Sequence, residues 1–337
     1  MQTVMENLSQ IGQRLINQTP LVGMNVGMLT AAGQQEQVAL GSRDGKAAHP
    51  VQTDTIYDLA SLTKLYTAAA YIQLVRQSDF DLARTIQSVL PQFNYTEITF
   101  QQVLQHTSGL PSSVRKTTQL TREMLLTDLY NRELISAPGT EIHYSDVGYM
   151  LLGEALKVIT GQTLEQAMHQ LVFEPLGLHE TGYRTPAMPG FYDLPKERFA
   201  PTEDVPERGG LLQGTVNDFK AKLLGGAAGH AGIFSTLTDA LTFNQFWLEP
   251  DVVALLQANR CDFRTLGWHY WRFGGEDKPS IEQDWLYQTG FTGTIMALNL
   301  KTNEALTVLT NRVYPERTVY DRWRVDRYQF PQAFFAQ

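Results

Sequence analysis

Ser61-Leu62-Thr63-Lys64 is the stretch of this chain best equipped for chemistry. Three residues apart on a helix, a serine and a lysine share one face, so the ammonium reaches the hydroxyl. A serine hydroxyl is a poor nucleophile until a base takes its proton. A lysine is such a base only where burial disfavours its charged form. Lys64 meets that condition on sequence grounds, being the only charge between Asp58 and Arg76, inside the most apolar helical stretch of the chain. The helix macrodipole disfavours a cation in the first turn, and the same turn offers free backbone N–H groups to a developing oxyanion. Taken alone, the pair fits a serine N-cap and an outward-reaching lysine equally well. A second match, Ser113-Val114-Arg115-Lys116, follows Pro111 in a polar stretch where nothing would desolvate its lysine, and it reads as a solvated loop.

Two further segments bear on the choice. Tyr144-Ser145-Asp146 precedes an apolar helical pattern, and in isolation reads as a turn with Asp146 as helix N-cap. Gln288-Thr289-Gly290-Phe291-Thr292-Gly293 precedes a strand pair, and in isolation reads as a glycine-rich strand edge with a bulge. In this order the three segments resemble the serine β-lactamase and penicillin-binding-protein superfamily, specifically its class C β-lactamase-like serine hydrolases. Those proteins use S-x-x-K, then Y-x-N or Y-S-D, then K-T-G or H-T-G, a relative of the serine/lysine motif set of class A enzymes. The resemblance runs from about Val22 to Pro315. It also takes in Leu104–Pro111 (LQHTSGLP), Phe173–Leu178 (FEPLGL), Gly225–Thr236 (GGAAGHAGIFST) and Thr310–Val313 (TNRV).

The resemblance implies that Ser61 is the acyl-accepting nucleophile and Lys64 its general base. It implies that Tyr144 shuttles a proton to the leaving group and helps activate water. Backbone N–H groups of Ser61 and Phe291 would form the oxyanion hole, and Thr289 and Gly290 would line the substrate's strand. Two positions depart from the pattern. Asp146 stands where many relatives have Asn, and a carboxylate there would pair with Lys64 and hold it protonated. Gln288 stands where relatives carry the Lys or His that helps hold a substrate carboxylate. Losing such a charge-assisted bond costs about 1.5–3 kcal/mol, and Arg312 on the neighbouring strand is the expected replacement.

The elements that must position these groups follow from periodicity. Val22, Met24, Val26 and Met28 alternate as a strand, and a second is expected around Gln37–Leu40. Thr294–Leu300 and Ala305–Val313 read as a hairpin. Helices are expected over the first 15 residues, Ser61–Gln77, Phe100–Gln105, Thr121–Asn131, Ser145–Thr160 and Thr163–Val172. The expected fold is α/β (α+β): an antiparallel sheet from both chain ends (1–80 and 225–337) flanked by helices, beside a mostly helical domain (81–224). Five prolines between Pro186 and Pro206 predict a long irregular loop.

Composition narrows the function. With 337 residues, 43% hydrophobic and 18% charged, the chain has ample material for a core and no signature of disorder. Its net charge of −8 and lack of a basic stripe argue against nucleic acid as partner. One cysteine, Cys261, excludes an internal disulfide or a Cys-rich zinc site. The histidines show no paired ligand spacing: His106 and His230 read as structural, and neither metal nor cofactor is expected. Trp268, His269, Tyr270 and Trp271 read mainly as buried aromatic area. The N-terminal pattern is an amphipathic helix rather than an export signal, and no run is long enough to span a bilayer. The chain as written reads as cytoplasmic, or extracellular if a leader had been removed. The leading function is a serine hydrolase acting through an ester on Ser61, on D-alanyl peptides, β-lactams or related amides and esters. The alternatives are a carboxylesterase for uncharged esters and a non-catalytic binder of cell-wall fragments. Oligomeric state is not legible.

Overall fold

The structure, a computed structural model, describes residues 3–115, 119–273 and 280–336. Lys116, of the second S-x-x-K match, lies outside the described residues.

The main sheet has six antiparallel strands: β1 (Gly23–Leu29), β2 (Gln35–Gly41), β3 (His269–Phe273), β4 (Ser280–Thr289), β5 (Ile295–Asn299) and β6 (Glu304–Thr310). Their spatial order is β2-β1-β6-β5-β4-β3, so the first strands of the chain join the last at the β1–β6 pair, with Met24 opposite Thr310. The sheet from both termini is therefore present, and β3 is an edge strand the sequence reading does not place. The helices that matter here are α1 (Val4–Gln18), α2 (Thr63–Gln77), α3 (Asp146–Thr160), α4 (Leu237–Trp247) and α5 (Gln329–Phe335).

Strand alternation sorts the two faces of the sheet. Met24, Val26 and Met28 point to one side, into a cluster with Leu8, Ile11 and Leu15 of α1 and Phe330 and Phe334 of α5. Their intervening neighbours do not face water, as simple alternation would have it. Every residue of β1 is buried, because α4 covers the second face, with Leu237 and Leu241 lying directly over Gly27. Sequence alternation here separates two interior faces rather than inside from outside.

α2 occupies the centre of the larger core. Every residue from Thr63 to Leu74 is buried, the arrangement that a helix apolar all round demands. Two of its polar groups find partners on neighbouring elements: Tyr71 donates to the Leu152 carbonyl of α3 at 2.8 Å, and Thr67 donates to the Gly229 carbonyl at 2.8 Å. The proline-rich stretch carries more structure than expected. Pro189–Tyr192 is a helical turn, Lys196–Arg198 a 3-10 turn, and Phe191 and Phe199 pack edge-on at 5.9 Å into a small core. Two buried aromatics, rather than backbone regularity, anchor this segment.

The Gly225–Gly232 turn meets α3 backbone to backbone. A Cβ at Gly229 would lie 2.2 Å from the Tyr149 carbonyl oxygen and 2.9 Å from the Gly153 nitrogen, neither of which yields like a side chain. Gly229→Ala is expected to destabilise the fold by about 3 kcal/mol through overpacking, measured by denaturant unfolding. No helix among the described residues is long and apolar enough to cross a membrane.

Candidate active site

Ser61 sits at the mouth of α2, in a 3-10 turn over Ala60–Leu62 that leads directly into the helix. The backbone before it is strained: Ala60 has φ +47°, a conformation costing an L-residue roughly 1–2 kcal/mol. Asp58 holds it there, accepting the Ala60 N–H at 2.8 Å and the Asn217 N–H at 2.7 Å. Burial pushes the Asp58 carboxyl up to about 6, against the pull of those two donors. The turn thus presents the Ser61 hydroxyl toward an open cleft rather than folding it into the cap.

One turn on, Lys64 is fully buried. Its Nζ lies 3.0 Å from Ser61 Oγ, 3.3 Å from the His230 carbonyl oxygen and 2.9 Å from Asp146 Oδ1. It also stands 4.7 Å from the centre of the Tyr144 ring. Burial by itself would drive the ammonium toward its neutral form. The Asp146 carboxylate and then the Tyr144 phenol outweigh it, so the net shift is upward from the ordinary lysine value. Asp146 is correspondingly held well below the usual carboxylate range: its desolvation is overcome by Lys64, His230 and Lys220.

The reading of Asp146 as a helix N-cap does not hold. Ser145 caps α3, its hydroxyl accepting the Gly148 N–H at 3.0 Å, and this frees Asp146 to turn toward Lys64. Asp146 is shared, because Lys220 Nζ contacts its other oxygen at 2.8 Å. Tyr144 is positioned by His106, whose ring packs against it at 4.7 Å. The Nδ1 of His106 accepts the Ser145 N–H at 3.0 Å. Burial, then the nearby Arg264 and Lys64 charges, keep that imidazole neutral. His230 contributes its carbonyl to Lys64, and its Nε2 meets Asp218 at 3.0 Å.

The far wall is the end of β4 and the turn beyond it. Gly290 must be glycine, since a Cβ there would lie 2.5 Å from the Leu59 carbonyl beside Ser61. Thr292 and Thr294 fasten the same turn to the Asp58 and Leu59 carbonyls. Thr289, Gly290 and Phe291 therefore stand opposite Ser61 across a cleft of about 420 Å³, within the range of small-molecule sites. Gln288 lines the cleft, yet its side chain is already engaged: Nε2 donates to the Gly267 carbonyl at 3.1 Å, and Oε1 accepts the Thr289 N–H at 3.0 Å. Arg312 also lines it, with Nε and Nη1 donating to the Phe291 and Arg317 carbonyls at 3.0 and 2.8 Å. Its guanidinium braces the Phe291 turn. Ser61, Tyr144, Gln288, Thr289, Gly290, Phe291 and Arg312 thus line one cleft, with Lys64 buried beside Ser61 and Asp146 behind it. A larger hollow of about 790 Å³, around Glu165, His169 and His179, holds no serine–lysine pair. No metal-holding cluster of His, Cys, Asp or Glu occurs among the described residues.

The Beta-lactamase family model matches residues 13–329, nearly the whole chain. The chain belongs to the beta-lactamase family. Within it, this beta-lactamase-family protein is 32% identical to the N-acetylmuramyl-L-alanine amidase of Bacillus subtilis, over 78% of this chain and 69% of that one. It is 28% identical to the "Putative D-alanyl-D-alanine carboxypeptidase" of Salmonella enteritidis, over 79% and 72%. Among solved structures it resembles EstCE1, a hydrolase with promiscuous acyltransferase activity, with a TM-score of 0.75, 20% identity and 98% of each chain covered. That last likeness speaks to fold alone. As a member of the family, the protein is a serine hydrolase.

Sequence reasoning missed Lys220, Asp218 and Arg264. None has a spacing signal: each reaches the site from a turn or a short helix far along the chain.

Proposed function

We propose that this hydrolase opens an amide or ester bond of D-alanyl peptides or related substrates by acyl transfer to Ser61. The observation that carries the reading is a fully buried Lys64 amine 3.0 Å from the Ser61 hydroxyl, with Tyr144 alongside. Ser61 Oγ forms a bond to the substrate carbonyl carbon while its proton passes to the free-amine form of Lys64. The C–N or C–O bond then breaks, and the leaving atom takes a proton through Tyr144. Water adds to the Ser61 ester in a second step, releasing the acid and returning the proton to Ser61. The backbone N–H groups of Ser61 and Phe291 serve the oxyanion in both steps. The names of the two sequence relatives, an amidase and a carboxypeptidase, support peptide-like amides as the substrate class.

Intact mass spectrometry tests this. Exposure to a penicillin, and separately to a fluorophosphonate, is expected to add one adduct to the wild-type protein and none to Ser61→Ala. Persistence of the adduct in Ser61→Ala, or its absence from wild type with both reagents, overturns the proposal. Release of D-alanine from a wall peptide then separates peptidase from esterase.

A further inference from the structure

Asp146 serves two lysines at once. Its Oδ1 lies 2.9 Å from Lys64 Nζ and its Oδ2 lies 2.8 Å from Lys220 Nζ, so one carboxylate bridges two ammonium groups. Lys64 is wholly buried, whereas the side chains of Lys220 and Asp146 are 15% and 20% exposed. Lys220 is not among the residues lining the cleft that contains Ser61. It stands behind that cleft, against the group that holds Lys64.

More than the ion pair fixes Lys220 there. It lies in a short helix, Phe219–Leu223, capped by Asp218, whose Oδ1 accepts the Ala221 N–H at 2.8 Å. The same oxygen meets His230 Nε2 at 3.0 Å, and the His230 carbonyl oxygen lies 3.3 Å from Lys64 Nζ. The contacts close a ring from Lys64 through Asp146, Lys220, the helix cap and His230 back to Lys64. On its other side Lys220 Nζ meets Ser113 Oγ at 3.4 Å, the serine of the second S-x-x-K match. The Ser112 carbonyl accepts the Asp146 N–H at 3.2 Å, which fastens the same loop to the carboxylate's backbone.

Burial opposes the Lys64 ammonium, yet Asp146 and then Tyr144 prevail over it. An Asp146 left to Lys64 alone would favour the ammonium more strongly still, and an ammonium takes no proton from Ser61. The second lysine withholds one carboxylate oxygen and offsets part of the negative charge.

We propose that Lys220 is a positioning residue of this hydrolase: it divides Asp146 between two lysines and so leaves Lys64 able to reach its free-amine form. The assignment rests on the acyl-transfer reading above, in which that amine is the base. Besides Asp146, the titratable groups facing Lys64 are the Tyr144 and Tyr149 rings, with centres at 4.7 and 5.8 Å, and His106. Arg264 stands 5.6 Å from the centre of the same Tyr144 ring, and Asp218 and His230 flank Lys220. All of these remain when Lys220 is replaced.

Fluorophosphonate labelling of Ser61 across pH tests the proposal, since the probe reports on the nucleophile whatever the natural substrate. In Lys220→Met the rising limb is expected to move up by about one pH unit, so labelling at a fixed pH below both limbs falls about tenfold. The deficit should close as pH rises through the limb, and Lys220→Arg should keep the wild-type profile. In an Asp146→Asn background the same Lys220→Met change is expected to slow labelling less than half as much, because the carboxylate it acts through has lost its charge. A limb that stays in place or moves down, a deficit equal at every pH, or the same slowing with and without the Asp146 charge overturns the proposal. Should Lys220→Met fail to fold, Lys220→Gln carries the same expectations. If wild type is not labelled at Ser61, the acyl-transfer reading is the one in difficulty. NMR titration of isotope-labelled lysines, with the Lys64 signal assigned by its loss in Lys64→Met, then judges Lys220 separately. A higher Lys64 midpoint in Lys220→Met supports the role, and an unchanged or lower one overturns it.

Discussion

Lys64→Met is expected to slow acylation of Ser61 by about three orders of magnitude, the middle of the range for a positioned general base, without unfolding the protein. The two halves of that expectation have different physical sources. The rate falls because no other side chain lies within hydrogen-bond distance of Ser61 Oγ among the described residues. The fold survives because replacing a buried ammonium with an apolar side chain of similar length removes its desolvation cost along with its partners. Asp146, the partner left behind, keeps Lys220 at 2.8 Å and is one-fifth exposed, so it is not stranded. Fluorophosphonate labelling rates and thermal unfolding on the same sample check both halves. Labelling within tenfold of wild type would remove Lys64 from the role of base.

Asp146→Asn produces the second large effect, and its sign follows from the site. In the wild-type protein the carboxylate and Tyr144 override burial and hold the Lys64 ammonium above its usual titration range. Only the free amine takes the serine proton, so kcat/KM is expected to climb with pH into the alkaline region. Removing the Asp146 charge leaves burial as the main influence on Lys64, which favours the neutral amine. The rising limb should therefore move to lower pH. The other charges around the pair, Lys220 and the His230–Asp218 contact, remain. Stability changes in the opposite sense. The raised Lys64 contributes stability at neutral pH that is lost only as pH rises through its folded-state value, and the depressed Asp146 contributes stability lost only as pH falls through its own. Their ion pair is therefore intact across the neutral range in wild type and absent from Asp146→Asn. A pH–rate profile whose limb stays in place, or moves upward, would show that Lys64 is not the group being titrated.

Much of this architecture was legible because it rests on periodicity. The nearly continuous apolar run from Leu62 to Val75 has only one physical resolution, a helix buried on all sides, and a lysine inside it has to find partners there. Alternation located the strands from both chain ends. It is silent on their environment at β1, because a period of two separates faces without saying whether the second face meets water or α4. Asp146 was read as a cap because Ser145 and Asp146 are both competent caps, and the sequence holds no means of choosing between adjacent residues. Arg264 lay beyond reach for a different reason. A lone arginine in a turn carries no spacing, and only the three-dimensional fold sets it beside the Tyr144 ring. The glutamine at 288 was visible as an unusual residue, but its engagement with Gly267 depends on an edge strand that no local pattern announces.

The same topology assembles the cleft from segments far apart in the chain. Thr292 fastens its turn to the Asp58 carbonyl across 234 residues of chain, and the cleft's last wall comes from Arg324 and Arg327, immediately before α5. A ribosome therefore delivers Ser61 well before the wall opposite it, with domains forming as the chain emerges. Until β6, β5 and β4 pair in turn alongside β1, the cleft wall opposite Ser61 is missing. Assembly of the cleft is thus coupled to closure of the sheet rather than to the appearance of any one motif.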